Sequence, residues 1–150
     1  MPSKTFNINQ FENWANRNVD EIQKVAESIV QDAIVDGASV MREHIMTRGT
    51  NKDWKSFWPS RAQGRKSRST QARFDTGEMR DAVDSQILRS SRSFVAGEFG
   101  WINKEEDYFL YQEKGFIHRN GAVIPAMNAL RDAFTYTVNR VESKLRGAFK

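Results

Sequence analysis

The chain has 150 residues, no cysteine and two histidines, with 39% hydrophobic and 28% charged residues and a net charge of +4. That length favours one domain with a modest core, and the missing cysteines exclude disulfides, thiolate metal sites and cysteine nucleophiles. No apolar run reaches the length of a membrane span, and the opening residues MPSKTFNINQF lack the apolar core of a secretory signal, so neither a membrane location nor secretion is expected.

The first third predicts a long helix. Asn9 and Glu12 have the spacing of a capping box. Phe11, Trp14, Ile22, Val25, Ile29, Ala33, Val40 and Ile45 then recur mostly at three- and four-residue spacings and define one apolar stripe. Gly37 interrupts the pattern and predicts a break or kink near Asp36-Gly37. Arg48-Gly49-Thr50-Asn51 has the chemistry of a helix end.

Residues 48–74 keep no sustained period and read as a long basic loop. Arg48, Lys52, Lys55, Arg61, Arg65, Lys66, Arg68 and Arg73 against the single acid Asp53 give the stretch a charge of +7. The remainder of the chain is therefore negative, and the basic character belongs to one segment. Trp54, Phe57 and Trp58 stand inside it as apolar anchors. A long unpatterned stretch in a compact domain is commonly functional or mobile.

Asp75 or Thr76 can cap a short helix running to about Asp84. Two strand-like segments follow, Ser85–Ser90 and Ser93–Ile102 (SFVAGEFGWI), joined as a hairpin at Ser90-Ser91-Arg92. Phe94, Phe99 and Trp101 are expected in the core, and the glycines mark a bulge or a close backbone approach. Tyr108–Gly115 predicts a short aromatic helix, with Tyr108, Phe109 and Tyr111 straddling core and subunit interface. A loop follows, with a brief strand near Ala122–Ile124. Pro125 is placed for the first turn of a last helix whose stripe is Met127, Leu130, Phe134, Val138, Val141 and Leu145. That helix is expected to pack on the sheet beside the first. The fold class is α+β: a long N-terminal helix and a C-terminal helix packed on a small antiparallel sheet, with a long basic loop, all in a single domain.

Catalytic constellations are sparse. His44, late in the first helix, reads as a solvated or core-edge histidine; His118 lies in a polar turn with no matched nucleophile. Glu105-Glu106-Asp107 reads as a solvated helix start, since acids favour helix N-termini, and Asp75-Thr76-Gly77 reads as a cap. No metal-ligand spacing, P-loop or dinucleotide fingerprint is present. The expectation is a protein without catalytic residues, metal or cofactor.

Three landmarks occur in order: Trp58-Pro59 in the basic stretch leading to Phe74-Asp-Thr-Gly-Glu-Met-Arg-Asp-Ala-Val83; Tyr108-Phe-Leu-Tyr-Gln-Glu-Lys-Gly115; and Ile124-Pro-Ala-Met-Asn-Ala-Leu-Arg-Asp-Ala-Phe134. From Trp58 onward this order and spacing resembles the neck and tail-completion (virion-morphogenesis, head–tail joining) proteins of tailed bacteriophages. Thr76-Gly77 with Met79-Arg80 matches the family's "TG-x-L-R" turn, with Met79 in place of leucine. Tyr108, Tyr111, Glu113 and Gly115 match its "Y…E-x-G" helix, and Pro125, Met127, Leu130 and Ala133 its proline-led final helix. Arg61 stands where a leucine often follows Trp-Pro.

The resemblance implies a structural virion protein without catalytic activity, forming a ring of six- or twelve-fold symmetry at the head–tail junction around the DNA channel. Its partners would be copies of itself and the neighbouring head-completion or stopper and tail-terminator or tail-tube proteins. Its location would be the virion neck, after assembly in the host cytoplasm. Within that reading residues 48–74 are an arm that orders on a neighbour, with Trp54, Phe57, Trp58, Arg61, Tyr108 and Tyr111 as interface residues. Arg65, Lys66, Arg68 and Arg73 are the candidates for weak, non-specific contact with channel DNA or with an acidic partner. The alternative is a small nucleic-acid-binding regulator gripping through 48–73.

Overall fold

The computed structural model describes residues 8–48, 78–104, 106–117, 121 and 123–148. In chain order these form α1 (Ile8–Thr47), α2 (Glu78–Asp81), β1 (Asp84–Ser91), β2 (Phe94–Gly100), α3 (Asp107–Lys114), β3 (Phe116–Ile117), β4 (Val123–Ile124) and α4 (Ala129–Ala148). The architecture is α+β, as the sequence predicts: two long helices with a small antiparallel sheet.

The spine is α1, whose 40 residues run without interruption and span about 60 Å at the α-helical rise. It starts at Ile8, so Asn9 and Glu12 lie inside its first turns, exposed, and do not form a capping box. The expected break at Gly37 is absent for a tertiary reason. Gly37 is where three elements meet: a Cβ built there would lie 2.2 Å from the Thr137 Oγ1 of α4 and 3.0 Å from Cε1 of Phe99 on β2. The glycine is kept for close approach, and its intrinsic helix cost of about 1 kcal/mol is offset by packing. The predicted stripe holds only in the second half of α1, where Ile29, Ala33, Ile34, Ala38, Met41 and Ile45 are buried. Trp14, Ile22 and Val25 lie at the exposed end of the helix.

One side of α1 carries the β1–β2 hairpin. The strands pair from Asp84↔Gly100 to Ser91↔Phe94, with a register shift between Ile87 and Arg89. Leu88 is the extra residue of that bulge, and the two-residue turn falls at Arg92-Ser93. Gly97 faces α1 so closely that a Cβ would meet Cδ1 of Ile34 at 3.0 Å. The period-two alternation of a strand then turns Val95 and Phe99 toward the helix and Phe94 away from it. Phe94 is therefore exposed, correcting its expected place in the core, while Phe99 and Trp101 do pack against it. The hairpin tip is tied down by polar contacts: Ser90 Oγ donates to Glu27 at 2.7 Å and Arg92 pairs with Asp20 at 3.0 Å.

The other long helix, α4, lies antiparallel along α1. Arg48 faces Asp132, Asp36 faces Arg140 at 2.5 Å, and Asp32 faces Lys144 at 3.3 Å. It thus packs chiefly on α1, and meets the sheet side near Gly37 and through Leu130 beside Gly100. The buried stripe of α4 is Ala129, Ala133 and Thr137. Small side chains at i, i+4 and i+8 let the two helix backbones approach closely. The larger residues predicted for the core, Phe134 and Val138, stay exposed.

The helix predicted to reach Asp84 is only the single turn of α2, because Asp84 already pairs with Gly100 in the hairpin. Met79 within it and Val83 just after it are buried in the main cluster with Met41, Ile45 and Phe109. The indole Nε1–H of Trp101 donates to the Met79 carbonyl at 2.8 Å, and its ring lies 5.3 Å from that of Phe109. Phe109 is fully buried, which contributes about 1.5–3 kcal/mol.

Candidate functional site

The densest polar construction among the described residues is the junction of α1, α3 and α4. At its base α3 ends at Glu113-Lys114-Gly115, with Gly115 at φ +77, a conformation that favours glycine. The chain returns through the β3–β4 ribbon, where Phe116 pairs with Ile124 and Ile117 with Val123. The loop predicted after Gly115 is here a strand, because Phe116 and Ile117 pair with β4. Pro125 does not open the last helix. Residues 125–128 are neither helix nor strand, Asn128 adopts φ +55, and α4 starts at Ala129.

That start is capped from another element. The Glu113 carboxylate is buried and accepts from the Ala129 N–H at 2.9 Å and the Arg131 N–H at 3.1 Å. These are two of the four donors that a helix N-terminus leaves unpaired. The backbone continues the clasp: Met127 N–H donates to the Gln112 carbonyl and Asn128 N–H to the Glu113 carbonyl. A carboxylate at a helix N-terminus is also favoured by the helix dipole.

Arg48 closes the junction from the α1 side. Its Nη1 donates to the carbonyls of Met127 at 3.0 Å and Asn128 at 3.1 Å and to Asp132 Oδ2 at 2.6 Å. Its Nη2 lies 3.5 Å from Nε2 of His44, one turn earlier. Hydrogen bonds from Arg48 and Arg131 hold the Asp132 carboxyl below the usual carboxylate range, and desolvation together with Arg48 pushes His44 below its ordinary value. Arg48 is therefore a structural residue of the fold, which corrects its place in the basic arm. His44 sits half-buried at the edge of the core, as predicted.

A second polar cluster lines an open cleft of about 540 Å³ between α1, α2 and the chain leaving β2. Its polar groups are engaged within the protein. Arg42 donates to the Val83 carbonyl at 2.6 Å, Asn103 to Asp84 at 2.9 Å, and Lys104 pairs with Glu78. The hydrogen bonds from Lys104 and from Tyr108 lower the Glu78 carboxyl. Among the described residues no group of three or more histidine or acidic side chains gathers as a metal site. No helix of the described residues is long and apolar enough to cross a membrane.

Of the sequence-predicted interface residues, Tyr108 and Tyr111 lie exposed on α3, either side of the buried Phe109. The Tyr108 hydroxyl donates to Glu78 at 3.1 Å, and the Tyr111 ring lies 6.1 Å from that of Phe116. Trp54, Phe57, Trp58, Arg61, Arg65, Lys66, Arg68 and Arg73 lie outside the described residues, as do His118 and the cap residues Asp75 and Thr76. Sequence reasoning missed the apolar surface elsewhere. The cross-strand pair Ile117 and Val123 is 73% and 70% exposed, and Phe134 and Val138, one turn apart on α4, are 59% and 46% exposed. The α4 pair was visible as part of a stripe, but that pattern carries no information about which part a neighbouring element covers. No family model, curated protein or solved structure matches this chain.

Proposed function

We propose that this protein is a structural subunit of a tailed-bacteriophage neck or tail-completion ring, joining head to tail through contacts with copies of itself and with adjacent particle proteins, and performing no chemistry of its own. The observation that carries the reading is the set of large apolar side chains left exposed on α3, on the β3–β4 ribbon and on α4. Tyr111 lies exposed on α3, the cross-strand pair Ile117 and Val123 on the β3–β4 ribbon, and Phe134 and Val138 on α4. A ring subunit needs two different faces that complement each other head to tail, and aromatic and aliphatic side chains form the energetic centre of such interfaces. The motif order from Trp58 to Phe134 supports the same assignment.

The test is assembly. Native mass spectrometry of the purified chain, alone and mixed with isolated heads or tails, should give a closed ring or a particle-bound ring. Ile117→Asp and Val138→Asp should each impair it while leaving the melting temperature unchanged. A chain that stays monomeric at all concentrations and binds neither heads nor tails refutes the proposal.

A further inference from the structure

Among the described residues of the α1–α3–α4 junction, His44 is the one histidine, and the fold places it against the residue that holds the junction shut. His44 is in the last turn of α1 and Arg48 directly follows the helix, four residues on, with Nε2 of His44 3.5 Å from Nη2 of Arg48. Nη1 of Arg48 is engaged three ways, with Met127, Asn128 and Asp132. Neutral imidazole can present Nε2 as an acceptor toward Arg48. Protonated imidazole has only donors, so the same contact then becomes one between two cations.

We propose that His44 and Arg48 form an acid-sensitive latch, in which protonation of His44 loosens the hold of Arg48 on the start of α4. The charged groups facing His44 come from all three elements. Arg48 opposes the added proton, whereas Asp132 of α4, Glu43 of α1 and Glu113 of α3 favour it. Burial sides with Arg48, and the balance lowers the affinity of His44 for a proton in the folded chain. The sign of the linkage follows. The neutral form belongs to the closed junction, so its stabilisation is complete above the unfolded histidine value near 6.5 and is lost as pH falls below it. Glu113 takes its two backbone donors through bonds that do not involve His44 or Arg48, so the device opens the Arg48 side of the clasp and leaves the α3 side closed.

The experiment uses the full chain with His118→Gln, which leaves His44 as the single histidine. Nuclear magnetic resonance between pH 7.5 and 5.5 should show the His44 ring titrating below the ordinary histidine value. The backbone signals of Met127, Asn128 and Asp132 should move with the same midpoint. Over that range the melting temperature should fall by about 1–4 °C, the scale on which small free-energy changes register in a domain of this size. Adding His44→Gln should remove both the fall and the coupled shifts. A His44 titration with residues 127–132 unmoved overturns the latch, as does a fall that persists in the His44→Gln chain. The parent titration needs no change at His44, so it decides the matter even if that variant does not fold.

Discussion

Replacing Glu113 with alanine removes the carboxylate on which α4 begins. Two backbone donors lose their partner at once: the Ala129 N–H in a fully buried setting, and the Arg131 N–H in a partly buried one. A buried donor left unsatisfied costs about 1–3 kcal/mol, and loss of a negative charge at a helix N-terminus adds about 0.3–1 kcal/mol. With the second donor partly reachable by water, the total is about 2–4 kcal/mol. For a domain near 150 residues each kcal/mol moves the midpoint by about 2–4 °C, so Glu113→Ala should melt about 4–16 °C below the parent. Glu113→Gln keeps one acceptor and should fall between the two. Thermal unfolding followed by far-ultraviolet circular dichroism measures the order. Hydrogen exchange localises the cause, because the amides of Ala129 and Arg131 should lose protection before those in the middle of α4. An alanine variant within 1 °C of the parent, or one whose lost protection lies elsewhere, would refute the assignment of Glu113 as the cap.

Further substitutions test other parts of the fold. Gly37→Ala should destabilise by about 1–3 kcal/mol through overpacking, although alanine is the better helix former, and Thr137→Ala in that background should recover part of the loss by removing the nearest atom; a stabilised Gly37→Ala would show that the crossing has slack. Trp101→Phe keeps a ring beside Phe109 but loses the donor to the Met79 carbonyl, and a cost of about 1 kcal/mol in urea unfolding is expected. Glu78, lowered by its hydrogen bonds from Lys104 and Tyr108, contributes stability that is present above the unfolded carboxyl value near 4.5 and is lost as pH falls through the folded one. Glu78→Gln should therefore flatten the acid limb of the stability curve, which a series of melts from pH 6 to pH 2.5 measures.

Two strand-like segments meeting at the polar junction Ser90-Ser91-Arg92 locate the hairpin, and the three- and four-residue spacings locate α1 and α4. What those patterns do not contain is which neighbour covers which face. On α4 the larger residues Phe134 and Val138 suggested the core, but α1 approaches so closely that only Ala129, Ala133 and Thr137 fit beneath it. Gly37 looked like a break because its justification, the side chains of Thr137 and Phe99, lies 100 and 62 residues away along the chain. Arg48 looked like the first residue of a basic arm because local charge is visible in sequence, whereas its acceptors at 127, 128 and 132 are not. Pro125 gave a correct direction and a wrong position, since the left-handed Asn128 delays the helix to Ala129.

The two later motifs behind the family resemblance prove to be one piece of structure. The glutamate of "Y…E-x-G" caps the helix that the proline-led motif introduces, and the glycine two residues on turns the chain into the ribbon that brings that helix back. Their spacing is therefore explained by folding: any chain that clasps α3 to α4 in this way needs an acid, a glycine and a small-residue helix start at such intervals. It follows that Glu113, Gly115 and Ala129 are unsuitable for testing the proposed ring, because their loss would weaken assembly by unfolding the subunit. Ile117, Val123 and Val138 have the opposite character. Each is exposed, and an aspartate there has open solvent to face in the isolated chain, so any effect on assembly reports the interface itself. A ring that forms unchanged with aspartate at all three positions would remove the observation on which the proposed function rests, while leaving the fold and its capped junction intact.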